Sequence, residues 1–405
     1  RVPALANEVR KLSEVEVVSG IDGKRFVDSM KMSTSIGYPC TGPKIDHVIE
    51  LSPDDEHNCP RVLTPFIMDE VEAIRSAYIS GTRSDCVFKA CLKDEPVKFG
   101  KKKIRVFEAA PIALQYLVRQ YYLPLARVLS LFPTISENAV GINPYGPEWS
   151  DLSDHICKFG SDRILAGDYT SFDFSLPAQI VLAAFDILID FTRNFPDYTD
   201  ADRSIMRGIA TDIAYAYVAY NGDLIGLFGS NPSGQNMTVY INGICNSLLI
   251  RCAFFDFVQD EKQPLFFSDY VAIVTYGDDF KGSVSSKSIM EGFNHIYVAN
   301  YLAKHGLKMT MPDKSSTPTP FMTDQTADFL KRKSVYIPEL GCSVGALDED
   351  SIFKSLHVGM DSELGDEEQC VCNLEGACRE FFYHGREIYE ERRSQLVEVA
   401  CEHNL

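Results

Sequence analysis

The sequence predicts an α+β fold, with antiparallel strands set among helices. Three observations lead there. Residues 271–275 (VAIVT) and 280–284 flank a Tyr-Gly-Asp-Asp turn, which is the pattern of a β-hairpin. Residues 163–168 (RILAGD) are a short apolar run of strand length. Residues 178–195 and 235–257 are apolar on successive turns and read as buried helices.

The elements follow in order. The first part of the chain mixes short segments with many Pro and Gly. It holds a turn-rich stretch at 34–43 (TSIGYPCTGP), a basic run at 93–105 (KDEPVKFGKKKIR) and a helical pattern over 111–131, broken or kinked at Pro124. The helix after Pro177 stops before Pro196, and 224–228 is another short apolar strand. Asn231-Pro232-Ser233-Gly234 is a turn opening the long helix 235–257. An amphipathic helix is expected over 288–305, with Ser288 and Glu291 at capping-box spacing and Gly306 as its stop. A strand at 307–311, part of a second hairpin at 327–336 and helix over 375–402 complete the chain.

The chain has 405 residues, 45% of them hydrophobic, enough for a sizeable core and about two to four domains. Its net charge of −18 excludes a uniformly basic nucleic-acid coat. The charge is uneven. Residues 336–405 hold 16 acids and 5 bases, whereas 93–105 hold six bases and two acids. No uninterrupted apolar run reaches the ~18 residues of a membrane span; 241–257 is broken by Asn242, Asn246 and Arg251. The first residues lack an apolar signal region and an initiator Met, so a processed or cut chain without a secretion signal is expected. Of the 12 cysteines, Cys245 and Cys252 sit in apolar stretches. Cys370, Cys372 and Cys378, with His384 downstream, are one candidate metal set, although they lack a paired CxxC spacing. Reduced thiols are expected.

Asp168 ends one apolar strand, and Asp278 and Asp279 occupy the hairpin turn. Adjacent carboxylates in an apolar hairpin repel each other and lose hydration, and a hard divalent cation, Mg²⁺ or Mn²⁺, would relieve both costs. If the Asp168 strand lies beside the hairpin, the carboxylates could hold two ions ~3.5–4 Å apart, the arrangement for in-line phosphoryl transfer. Taken alone, Gly-Asp-Asp is equally an ordinary turn composition.

With its neighbours, this site resembles the RNA-dependent RNA polymerases of positive-strand RNA viruses of the picornavirus-like order. Residues 33–39 (STSIGYP) are similar to the fingers motif at the template channel, and 92–105 to the basic fingers motif that binds triphosphate. Residues 168–173 (DYTSFD) have the family's D-x4-D spacing, and 232–242 (PSGQNMTVYIN) look like the second palm motif. YGDD at 276–279, GLKMTMPDKS at 306–315 and FLKR at 329–332 look like the third, fourth and fifth. The GQNMT form resembles relatives infecting insects or marine protists. The stretch before Ser33 is short for the family, which implies that N-terminal fingers sequence is missing.

The resemblance implies a right-hand polymerase with fingers, antiparallel-sheet palm and helical thumb. It places fingers at 1–156, palm at 157–335 with a fingers insertion at about 190–225, and thumb at 336–405. It implies RNA synthesis from NTPs on an RNA template and primer, with two Mg²⁺ or Mn²⁺ ions on Asp168, Asp278 and Asp279. Lys314 would be the general acid for the leaving pyrophosphate. Lys93, Lys103 and Arg105 would neutralise the triphosphate. Asp173, Ser233 and Asn242 would recognise the ribose hydroxyls, with Thr238 in the same network and Gly234 giving the close turn before the helix. Thr34, Ser35, Gly37 and Tyr38 would contact template, and Lys331 and Arg332 the primer backbone. Arg379, Arg386, Arg392 and Arg393 would gather on the inner thumb face. A protein primer, other viral replication proteins and a place in the host cytoplasm, at membrane-associated complexes and with no transmembrane segment, are the family's expectation. A reverse transcriptase-like enzyme and a non-catalytic polymerase-like scaffold remain the alternatives.

Overall fold

The computed structural model describes residues 9–53, 57–95, 100, 105–314, 316–357, 364–403 and 405. Strands β1 (Val48–Glu50) and β2 (Arg61–Leu63) form a small antiparallel ribbon. Strands β3 (Val87–Leu92) and β4 (Val106–Ala109) pair antiparallel across the basic run. Then come β5 (Ile164–Tyr169), β6 (Tyr217–Tyr220), β7 (Asp223–Gly226), β8 (Val271–Tyr276), β9 (Asp279–Val284) and β10 (Met309–Thr310). Strands β11 (Arg332–Ile337) and β12 (Cys342–Leu347) close the list.

Two four-stranded sheets organise the described residues. One has the order β10-β5-β9-β8, wholly antiparallel. The other has the order β4-β3-β6-β7, in which β6 pairs parallel with β3, so residues 217–226 complete a sheet begun much earlier in the chain. The first sheet is covered on both faces. Period-two alternation sends Leu165, Tyr169 and Ile273 to the main core and Ile164, Ala166 and Val274 to a second cluster with Trp149, Leu152 and Phe329. Asp168 therefore leaves β5 on the opposite face from Tyr169. Helix Thr238–Phe257 packs against strand β8 of this sheet, and helix Ala178–Phe191 packs against that helix. A third cluster of Ile352, Ala377 and Phe381 holds the C-terminal helices Glu349–His357, Asp366–Phe382 and Arg386–Glu402.

Several expectations are corrected. Helix Ile112–Leu131 runs unbroken through Pro124, because the Gln120 carbonyl that Pro124 cannot serve accepts the Leu12 N–H at 3.1 Å. The helix expected from Ser288 begins at His295, where the Asn294 side chain caps the Tyr297 N–H at 3.1 Å; Ser288–Met290 is only a 3₁₀ turn. Strand β7 is not buried but an exposed edge. The strand at 307–311 shrinks to two residues. The hairpin β11–β12 runs straight through the expected boundary between 335 and 336. The helical stretch 375–402 is two helices separated at Gly385. Helix Thr238–Phe257 passes the length and composition expected of a bilayer-crossing helix, as the core helix of a folded domain also can. It lies inside the fold, with Ile241, Cys245, Ile250, Ala253 and Phe254 fully buried.

Candidate active site

The hairpin β8–β9 ends in the pair Tyr276–Asp279, leaving Gly277 and Asp278 as a two-residue turn. Gly277 has φ +63°, a left-handed conformation that such hairpin turns require and that glycine adopts without strain. Strand β9 pairs with β5 up to Gly167–Phe280, so Asp168 and Asp279 stand at the ends of adjacent strands. The juxtaposition expected of the three carboxylates is thus present. Its electrostatics follow. Burial pushes Asp279 up to about 6, with further upward pressure from Asp278, Asp168 and Asp328. Burial and then Asp168 raise Asp278, while Lys314 and Arg105 oppose the rise. Lys314 Nζ is 3.0 Å from Asp168 Oδ2.

The donor chemistry fits Mg²⁺ or Mn²⁺: hard, mutually repelling oxygen donors, with Asp168 and Asp279 half-buried and Asp278 exposed at the turn. Among the described residues, no three His, Cys, Asp or Glu side chains are gathered closely enough to hold a metal ion by themselves. Mg²⁺ does not ask for one, since it is held through one or two carboxylates plus water and substrate phosphate.

A second corner forms around Asp173, in the short helix Phe172–Ser175 after β5. The Asn242 amide donates to Asp173, and Asn242 Oδ1 accepts from Asn231 Nδ2 at 2.7 Å. Asn231 Oδ1 in turn accepts from Gln235 Nε2 at 3.1 Å, and the Asn231 N–H donates to the Asp173 carbonyl at 3.0 Å. Burial pushes Asp173 up to about 6; Asn242 and Arg105 resist, and Asp278 and Glu108 add to it.

The turn before the long helix is clamped to β4. Ser233 donates from its N–H (3.2 Å) and hydroxyl (3.3 Å) to the buried Glu108 carboxylate, whose proton affinity burial raises. Gly234 is required by closeness rather than by turn conformation: a Cβ there would lie 2.3 Å from the Glu108 carbonyl oxygen. The Thr238 hydroxyl donates to the Pro232 and Gln235 carbonyls, both at 2.9 Å, so it braces the turn; its carbonyl accepts from Asn231 at 3.1 Å and joins the network.

Lys93 and Arg105 face each other across the β3–β4 base, through a 2.9 Å backbone bond. Arg105 donates to Glu95 at 3.2 Å and acts on Asp173 and Asp278. Lys103 lies outside the described residues. In the first motif, the Thr34 hydroxyl donates to the Lys31 carbonyl (2.8 Å) and accepts from Lys44 (2.7 Å), and Ser35 Oγ accepts the Gly37 N–H (3.2 Å). These groups hold the loop, while the Tyr38 ring is exposed.

Lys331 is exposed and lowers the proton affinity of Asp279, so its charge reaches the site. Arg332 departs from its expected role on primer. Its guanidinium is mostly buried and spent on Glu380 (3.1 and 3.2 Å), the Gly345 carbonyl (2.6 Å) and the Tyr145 hydroxyl (3.1 Å). Tyr145 stacks on Tyr383 at 4.6 Å. This cluster ties β11 to the C-terminal helices. Three of the thumb arginines have partners within the C-terminal helices. Arg379 and Arg386 pair with Glu375 and Glu390 on their own helices, and Arg392 covers Phe353 and Phe381 while bonding Glu349. Cys370 and Cys372 are exposed, and His384 bonds the Leu347 carbonyl at 2.8 Å.

Sequence reading passed over Asn231 as a turn residue, Gln235 as the start of a helix and Asn246 as an interruption of an apolar run, and did not single out Glu108. Asn246 is fully buried and bonded to the catalytic turn.

The family model described as viral RNA-dependent RNA polymerase matches residues 4–400. The replicase polyprotein of Drosophila C virus is 29% identical over 98% of this chain and 23% of that protein. That of cricket paralysis virus is 29% identical over 82% of the chain and 19% of that protein. The RNA1 polyprotein of cherry rasp leaf virus is 30% identical over 97% and 18%. The chain thus spans less than a quarter of these relatives. Among solved structures, the Sicinivirus 3Dpol RNA dependent RNA polymerase superposes with TM-score 0.76 at 19% identity, over all of this chain and 80% of that one.

Proposed function

The chain belongs to the viral RNA-dependent RNA polymerase family, and we propose that it copies an RNA template by transferring nucleotides from NTPs to a primer 3′-hydroxyl. The observation that carries this reading is the placement of Asp168 and Asp279 at the ends of adjacent paired strands with Asp278 in the turn beside them, the last two raised by burial and by their neighbours. In the right hand, the sheet β10-β5-β9-β8 serves as palm, β4-β3-β6-β7 as fingers and the C-terminal helices as thumb.

Asp168, Asp278 and Asp279 would hold two Mg²⁺ or Mn²⁺ ions. When bound, these ions lower the pKa of the primer hydroxyl and neutralise the phosphates. The chain's own residues do the rest. Arg105, Lys93 and Lys103 draw in the triphosphate, which would otherwise meet an acidic site. Asn242 spends both ends of its amide on Asp173 and Asn231, so the Asp173 carboxylate is presented in one orientation. A ribose 2′-hydroxyl can donate to it, and a deoxyribose leaves it unpaired. Lys314, seated on Asp168, keeps an ammonium beside the reacting phosphates and can give its proton to the leaving pyrophosphate. Lys331 lends charge to the primer side. The template side belongs to the loop of Thr34, Ser35, Gly37 and Tyr38. Work in the host cytoplasm at membrane-associated complexes, with a protein primer and other replication proteins, belongs to the same proposal and rests on family membership alone.

The test is extension of a primed RNA template with Mg²⁺, wild type beside Asp278→Asn. The proposal expects extension by the wild type and loss in the variant; equal extension by both refutes it.

A further inference from the structure

We propose that Asn246 is a positioning residue that fastens the Gly277–Asp278 turn to the strand carrying Asp168 and so sets the spacing of the catalytic carboxylates. This rests on the polymerase reading above. Asn246 Nδ2 donates to the carbonyls of Asp278 at 2.8 Å and Gly277 at 3.3 Å. Its Oδ1 accepts from the Tyr169 hydroxyl at 3.1 Å. Tyr169 follows Asp168 in β5 and is buried, with its ring 4.6 Å from Phe172 and 6.3 Å from Phe280.

The physical need is clear. Beyond the pair Tyr276–Asp279 the turn has no cross-strand partner, so its two carbonyls take their hydrogen bonds from the fully buried Asn246. Only a group with both a donor and an acceptor can satisfy them and Tyr169 together. A carboxylate has no donor, and an apolar side chain leaves buried carbonyls unpaired. Asn246 also lies one helical turn after Asn242. A single helix, Thr238–Phe257, therefore fixes the Asp173 corner and the catalytic turn in one frame.

Rapid-quench single-nucleotide addition in Mg²⁺ tests this, with wild type, Asn246→Ala, Asn246→Asp and Tyr169→Phe on a preassembled primer–template. Thermal melting against Mn²⁺ concentration, without RNA or nucleotide, gives a readout apart from activity. For Asn246→Ala the expected result is a maximal addition rate down about a hundredfold with NTP affinity within about threefold, since only spacing changes. The Mn²⁺ concentration for half-maximal stabilisation should rise about tenfold. Asn246→Asp keeps the acceptor for Tyr169 but loses the donor, and should be at least as impaired. Tyr169→Phe should move both readouts in the same direction by a smaller factor. A rate for Asn246→Ala within about twofold of wild type, or a loss confined to NTP affinity with an unchanged Mn²⁺ midpoint, overturns the inference. If Asn246→Ala does not fold, Tyr169→Phe decides by the same criteria. If the wild type extends no primer, the polymerase reading fails instead, and the Mn²⁺ midpoints still judge the clamp.

Discussion

Lys314 Nζ lies 3.0 Å from Asp168 Oδ2, so a mostly exposed ammonium partners a carboxylate proposed to hold metal. Replacing it with Met removes the proton donor and leaves the carboxylates in place. The nucleotide-addition rate should fall about a hundredfold, in the range of general acid catalysis. Stopped-flow or quench kinetics with saturating NTP check this.

Proton competition is the second prediction. Burial and the neighbouring carboxylates push Asp279 up to about 6, above the ordinary aspartate range. With a folded value above the unfolded one, there is no penalty at pH below both. Stability then falls as pH rises from about 4 to about 6, and the penalty is complete above that. Added Mg²⁺ or Mn²⁺ should therefore raise the melting temperature more at pH 7.5 than at pH 5.5. A shift independent of pH would count against carboxylates as the binding groups.

Ribose selection should pass through Asp173 and Asn242. Asn242→Ala frees the carboxylate from its fixed orientation. The preference for NTP over dNTP should drop by at least about tenfold, the worth of one hydrogen bond to a charged group. Competing single-nucleotide incorporation measures it. Equal use of dNTP and NTP by the wild type would instead favour the reverse transcriptase-like alternative.

Lys331 and Arg332 are adjacent but differently employed. Lys331→Gln should reduce the salt dependence of RNA binding by about one charge. Arg332→Gln should leave that slope unchanged and destabilise the protein by about 2–4 kcal/mol, because Glu380 stays half-covered without its partner. Salt titration of RNA affinity and urea melting separate the two.

The catalytic corner was legible in the sequence because its residues end strands, and strand ends are marked by local alternation and turn composition. Asp168 and Asp279 end adjacent strands and Asp278 sits in the turn, as expected from that. What was not legible depends on distant partners. Arg332 reads as a basic motif residue, and nothing local says that its guanidinium meets Glu380, 48 residues on. Asn246 reads as a blemish in an apolar helix until Gly277 and Asp278 are seen facing it. The pairing of β6 with β3 is parallel and remote, so no hairpin signal announces it. At the helix His295–Lys304, two capping signals competed, and the buried Phe293 before Asn294 decided for the later one.

If the turn carboxylate Asp278 works with Asp168 in nucleotide transfer, Asp278→Asn, which keeps the shape and removes the charge, should lose primer extension on an RNA template with Mg²⁺. The wild type should extend the primer robustly and the variant should be slower by at least about a thousandfold, as expected when a principal charge-bearing ligand is lost. Wild-type rates from Asp278→Asn would exclude that role for Asp278.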